Sequence, residues 1–234
     1  MDKALLEILE LECVRGDKQL FRALSFSLEA GSLLHVHGPN GSGKTTLLRA
    51  IAGLVLQESG EIRWNGTPIG KQKDEFNRDL LYLGHHYGLK FELTGYENLK
   101  VFANLSGSDI SEHEVEAALT RFGLAHCVEL PVKVLSQGQK RRVALARLLL
   151  QSSKLWILDE PFVALDVAAV DLLLDVIKGH VANGGMVIMT THQEVAIEVG
   201  HLQHLHLDSM SGDPMSSDPM PGDPMPGDPM MEQH

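Results

Sequence analysis

The run Gly38-Pro39-Asn40-Gly41-Ser42-Gly43-Lys44-Thr45, continued by Thr46, has the spacing GxxxxGK[ST]. Glycines at those positions let successive backbone N–H groups converge on a phosphate chain. Lys44 is placed to bridge β- and γ-phosphate oxygens, and the Thr45 hydroxyl to coordinate Mg²⁺. In Trp156-Ile157-Leu158-Asp159-Glu160 an apolar strand delivers two acids at its C-terminal end, where open α/β sheets bind ligands. Asp159 is expected to hold Mg²⁺ through water, and Glu160 to orient and polarise an attacking water. His192 follows a further strand and can donate to the γ-phosphate. Leu135-Ser136-Gln137-Gly138-Gln139 precedes Lys140-Arg141-Arg142, so a helix capped by Ser136 begins with a basic turn that opposes its own dipole. An anion held at that N-terminus would account for the turn. This second phosphate grip follows the first by about ninety residues. The arrangement makes sense if two chains meet head to tail, each capping the other's nucleotide.

These groups need a scaffold that brings strand ends together. Leu33–Val36, Leu155–Leu158 and Val187–Met189 are short apolar runs, each followed by a polar or glycine-bearing turn, with helical patterns between them. That alternation predicts an α/β domain with a largely parallel sheet. Leu33–Val36 stands directly before the glycine-rich loop, and the amphipathic run Leu47, Leu48, Ile51 and Ala52 directly after it, which is the strand–loop–helix context such a loop requires. Asn65-Gly66, between two alternating runs, signals a hairpin. Together with alternation across Leu9–Leu28 it predicts an antiparallel subdomain. From about 87 to 151 the strand signal is lost and Glu112–Phe122 and Lys140–Leu150 show three-to-four spacing, so a helical insertion is expected.

With 234 residues the chain suits one large domain or two small ones, enough for a substantial core. Its net charge of −11 argues against broad attraction to nucleic acid or anionic lipid. No apolar run reaches eighteen residues, and the N-terminus has neither the basic start nor the apolar stretch of a secretory signal. Cys13 and Cys127 are too few for a disulfide framework, so reduced thiols in the cytoplasm are expected. Residues 1–207 read as the catalytic domain. Residues 208–234 read as a disordered, low-complexity tail built on four DPM-ending pentapeptides, with Met as the only residue offered for burial. In His201–Leu207, His204 and His206 should share a strand face and His201 oppose it. Solvated imidazoles on an edge strand are the expected reading there, ahead of a metal or haem site.

Taken in order, the glycine-rich loop, LSQGQ, LDE, Ala164-Leu165-Asp166 and His192 resemble the ATP-binding-cassette (ABC) ATPases across residues 3–207. The resemblance implies the P-loop NTPase fold with antiparallel and helical subdomains. It also implies a homodimer that sandwiches ATP and Mg²⁺, with residues 135–139 acting in trans and Asp166 communicating across the dimer. Narrower features are similar to the ATPases of cytochrome c maturation exporters: Tyr82-Leu83-Gly84-His85, Leu89-Lys90, Glu97-Asn98-Leu99, Trp156–Phe162 and Thr190-Thr191-His192-Gln193. That likeness implies an ATP-driven haem translocase at the cytoplasmic face of the bacterial inner membrane, peripheral and bound to integral CcmB-like and CcmC-like subunits. Nucleic acid is not an expected partner.

Two positions depart from the family pattern. His86 stands where a Gln usually faces Mg²⁺ and water. The aromatic residue that stacks on adenine is missing near 13–16, and Arg15 could stack its guanidinium instead. Two other readings predict different features. A soluble ABC protein of ribosomes or DNA would bring tandem cassettes or a basic face, and a small-molecule kinase would carry a lid and no LSQGQ.

Overall fold

The computed structural model describes residues 5–16, 18–107, 109–193 and 195–207; the pentapeptide tail lies outside them. β1 (Leu5–Arg15) and β2 (Lys18–Glu29) form an antiparallel pair, and β3 (Ser32–His37) leads into the glycine-rich loop and α1 (Lys44–Ile51). β4 (Ser59–Trp64) and β5 (Thr67–Pro68) make the expected hairpin. Its turn residues Asn65 and Gly66 have φ of 50° and 76°, the positive pair that a right-twisted two-residue hairpin demands. α2 (Lys73–Asp79) then enters β6 (Leu80–Leu83), a fourth core strand that the apolar pattern does not announce.

Three helices follow before the chain returns to the sheet: α3 (Gly95–Leu105), α4 (Glu112–Arg121) and α5 (Gln137–Ala146). Each opens with a reciprocal capping box, formed by Thr94 with Glu97, Ser111 with Glu114 and Ser136 with Gln139. β7 (Leu155–Asp159), α6 (Val167–Ala182), β8 (Met186–Thr190) and β9 (His201–His206) complete the described chain. No described helix is long and apolar enough to cross a membrane.

The strands make two sheets, β2-β1-β4-β5 and the parallel β6-β7-β8-β3-β9. Both faces of the central strands are covered, which is why β7 and β8 read as apolar runs, whereas the edge strand β9 alternates with polar residues. On one face Leu34, Val36, Ile157 and Ile188 pack with Leu47, Leu48 and Ile51 of α1 and with Leu6, Ile8, Ile62 and Trp64 of the antiparallel sheet. On the other, Leu33, Leu158, Val187 and Met189 pack with Leu173 and Ile177 of α6 and with Val143 and Leu145 of α5. The P-loop helix is thereby clamped between sheets, and the C-terminal ends of β3, β7 and β8 converge beside it.

Candidate functional site

Gly38 starts the loop under close confinement. A Cβ there would lie 2.5 Å from the Leu207 carbonyl and 2.6 Å from Ser42 Oγ, and its φ is 149°. Gly38, Pro39 and Ser42 form the back of the turn, closed by a Ser42 N–H to Pro39 carbonyl bond of 3.2 Å. Asn40, Gly41, Gly43, Lys44, Thr45 and Thr46 line a cavity of about 570 Å³, together with Arg15, Leu20, His85, Glu160, Val163, His192 and Gln193. Lys44 Nζ donates to the carbonyls of Gly38 (2.7 Å) and Pro39 (3.0 Å), which holds the ammonium across the mouth of the loop.

Asp159 is buried at the end of β7 and accepts from two hydroxyls, Thr45 Oγ1 at 2.9 Å and Thr190 Oγ1 at 2.8 Å. The Thr45 and Asp159 oxygens are the hard donors that Mg²⁺ prefers, and they already lie 2.9 Å apart, with Thr45 on the cavity, so the donor set fits that ion. Thr190 Oγ1 also accepts from the Glu160 N–H at 3.0 Å. Glu160 itself sits at φ 52°, a left-handed conformation that side-chain-bearing residues avoid at a cost of about 1 kcal/mol or more. Its carboxylate faces His192, with Oε1 3.2 Å from Nε2 and Oε2 accepting from the His192 backbone N–H at 3.3 Å.

The basic turn after LSQGQ finds its reasons within the chain. Arg141 is 2% exposed and donates to three consecutive carbonyls, Asp159 (3.2 Å), Glu160 (2.6 Å) and Pro161 (3.1 Å). Arg142 pairs with Asp166, and Lys140 Nζ lies 5.5 Å above the Phe91 ring. Asp166 also caps α6 through the Ala169 N–H at 3.0 Å. That bond, then the Arg142 charge, holds its carboxyl below the usual Asp range. Gly138 packs so closely that a Cβ would lie 2.9 Å from the Ala164 carbonyl. LSQGQ is thus tied to the segment that follows Glu160.

None of residues 135–139 lines the cavity of its own chain among the described lining residues. Leu135 is buried. Ser136 N donates to Gln139 Oε1 at 2.8 Å, Ser136 Oγ accepts from Gln139 N at 3.2 Å, and Gln137 borders a second cleft. The adjacent histidines differ in which spaces they reach. His85 borders both the phosphate-loop cavity and the second cleft, whereas His86 borders the second cleft and not the first, with Tyr87, Gly88, Leu89, Phe91, Gln137 and Lys140. Arg15 lines the cavity wall. Sequence reasoning passed over Thr190, Arg141 and His85. Only the Thr190-Thr191-His192 run hinted at the first.

A P-loop whose threonine meets the strand-end aspartate, with LSQGQ facing out of its own cavity, is the architecture of an ABC nucleotide-binding domain. Residues 21–163 match the ABC transporter family, more than half of the chain. An ABC transporter ATP-binding protein from Pyrococcus furiosus superposes with a TM-score of 0.74 at 31% identity, covering 86% of this chain and 97% of that one. The chain is also 55% identical over 203 residues to the cytochrome c biogenesis ATP-binding export protein CcmA of Dechloromonas aromatica, covering 87% of this chain and all of the relative. It is 53% identical to the protein of the same description from Nitrosomonas europaea, covering 84% and 92%. The chain therefore belongs to the ABC transporter family and, within it, to the cytochrome c biogenesis ATP-binding export proteins.

Proposed function

We propose that the chain is the ATP-hydrolysing subunit of an exporter in cytochrome c biogenesis, peripheral to the cytoplasmic face of the bacterial inner membrane, coupling ATP binding and hydrolysis to haem export or to release of a haem-loaded chaperone. The observation that carries it is the continuous chain of contacts Thr45–Asp159–Thr190–Glu160–His192, in which buried Asp159 and Thr190 link the P-loop threonine to Glu160 and His192 on the same cavity. The names of the relatives favour the pathway.

In this reading Lys44 and the loop N–H groups bind the β- and γ-phosphates, and Arg15 stacks on the adenine. Thr45 and Asp159 would hold Mg²⁺, which would supply charge neutralisation on the phosphates. Glu160 accepts hydrogen bonding from the attacking water and aligns it, while His192, oriented by Glu160, donates to the γ-phosphate. His86 bears on the same water through a shift of its loop. A second copy of the chain brings residues 135–139 over the γ-phosphate. The Ser136 hydroxyl, which accepts from Gln139, keeps its own proton free to donate. Asp166 reports closure across the dimer. Exposed Phe91 at the second cleft, of about 490 Å³, offers integral CcmB-like and CcmC-like subunits an apolar foothold.

Two experiments test this. A Glu160→Gln chain with saturating ATP should dimerise in gel filtration, and adding Ser136→Arg should return it to monomer; a Glu160→Gln chain that stays monomeric refutes the shared site. Lys44→Ala introduced in cells should abolish covalent haem attachment to c-type cytochromes; undiminished attachment removes the pathway assignment.

A further inference from the structure

The edge of the parallel sheet carries an imidazole cluster outside the nucleotide cavity. The parallel register of β3 and β9 sets His35 beside His204 and His37 beside His206. Leu33 and Leu202, in register on the same two strands, pack into the core on the α6 side of the sheet, and the two-residue period puts all four histidines on that face. The His35 and His37 rings are 3.7 Å apart between centroids and those of His37 and His204 5.0 Å, with His37 Nε2 2.8 Å from His204 Nδ1. One nitrogen from each of His35, His37 and His204 lies within 4.8 Å of the other two. His35 is 8% exposed, and its Nε2 has no hydrogen-bond partner among the described residues.

We propose that His35, His37 and His204 form a binding site for a divalent transition metal of the Zn²⁺ type, with the fourth position open to water on the exposed side of His204. The donors decide the class of ion. Three imidazoles without a carboxylate suit Zn²⁺, Cu²⁺ or Ni²⁺ and disfavour Mg²⁺ or Ca²⁺. The three nitrogens already approach the spacing such an ion imposes. Zn–N bonds of about 2.0–2.1 Å in a tetrahedron set N···N at about 3.3 Å, so side-chain rotation closes the site around the ion without moving either strand. Burial foremost, then the neighbouring imidazoles, lowers the pKa of His35 to about 4, and the same causes lower that of His37. His206 stacks on His37 at 4.9 Å and 15° and flanks the cluster.

The site also has a structural consequence. His37 directly precedes Gly38, and the Leu207 N–H donates to the His37 carbonyl at 2.9 Å. A metal there would staple β9 to β3 immediately behind the phosphate-binding loop, adding to the backbone ladder and the side-chain contacts of that edge.

The test uses the full chain, stripped with EDTA and free of nucleotide and Mg²⁺. Zn²⁺ titrated by competition with a chromogenic chelator should occupy one site per chain and raise the melting temperature. His204→Gln, an exposed change that leaves folding intact, should weaken that binding at least ~100-fold, as should His37→Gln. His201→Gln, on the same strand but the opposite face, should leave it unchanged. Co²⁺ should give the absorption of a four-coordinate nitrogen site, absent in His204→Gln. Wild-type Zn²⁺ affinity in His204→Gln and His37→Gln, or a wild-type chain whose melting temperature ignores Zn²⁺, overturns the proposal.

Discussion

Arg141 joins the LSQGQ helix to the acids of the nucleotide site, and replacing it by Met should separate its positioning role from simple packing. Met matches the length of the aliphatic stem but donates nothing, so three carbonyls in a buried corner lose their shared partner. Hydrogen bonds from a charged donor contribute about 1.5–3 kcal/mol each. Three would amount to roughly 4–9 kcal/mol, but Met also escapes the desolvation of a buried guanidinium, a cost of several kcal/mol. That cost is visible in Arg141 itself, whose pKa burial pushes below the ordinary arginine value. The net loss of stability should be about 2–4 kcal/mol, read from urea unfolding of the purified chain.

The catalytic consequence of Arg141→Met should be larger than the stability loss implies. Glu160 holds φ 52° because Arg141 grips its carbonyl while Thr190 grips its N–H. Without Arg141 the residue relaxes toward an ordinary basin and its carboxylate leaves His192. A misplacement of about 1 Å in such a group costs on the order of 100-fold in rate. ATP turnover, measured where the variant is fully folded, should therefore fall ~100-fold with ATP affinity nearly unchanged. Arg141→Lys, able to satisfy only part of the set, should fall between. If Arg141→Met is destabilised yet hydrolyses ATP within threefold of wild type, Arg141 merely fills space and the positioning argument is refuted.

Thr190→Val keeps the β-branched shape but strands the Glu160 N–H and removes one bond to buried Asp159. It should cost about 2–4 kcal/mol by urea unfolding and lower turnover, with Thr190→Ser restoring most of both. Gly38→Ala should abolish nucleotide binding by fluorescent-analogue titration, because the added methyl meets the Leu207 carbonyl at 2.5 Å in a backbone conformation Ala resists. His180 stacks on Trp156 at 3.7 Å, and burial lowers its pKa to about 4, so the unfolded chain takes up its proton near pH 6.5 before the native one does. Stability from this group is complete above about pH 6.5 and is lost as pH falls toward 4, at most about 1.4 kcal/mol per pH unit. His180→Phe should flatten that part of a stability–pH curve measured by urea unfolding, leaving the share due to His35.

What could be read in the chain beforehand divides along a physical line. Lys44, Asp159, Ser136 and the Asn65-Gly66 hairpin announce themselves because local chemistry demands those residues: a loop that wraps phosphate, a strand that ends in acid, a helix needing a cap, a turn needing positive φ. β6 gave no such warning, since four residues at a sheet edge carry too little pattern to separate from a loop. Arg141 illustrates a second limit. A basic turn at a helix start looked like an invitation to an anion, but its charges answer to Asp166, Phe91 and three carbonyls that only the packing of α5 against the end of β7 brings near. The histidines show a third. That His204 and His206 share a face follows from the two-residue period alone. Their meeting with His35 and His37 depends on a strand register set 167 residues away along the chain, which no local pattern encodes. The glycine-rich loop is written in contiguous residues because its shape is set by local backbone; the groups that position Glu160, and the imidazoles behind Gly38, come as side chains from separate elements and emerge only when the sheet closes.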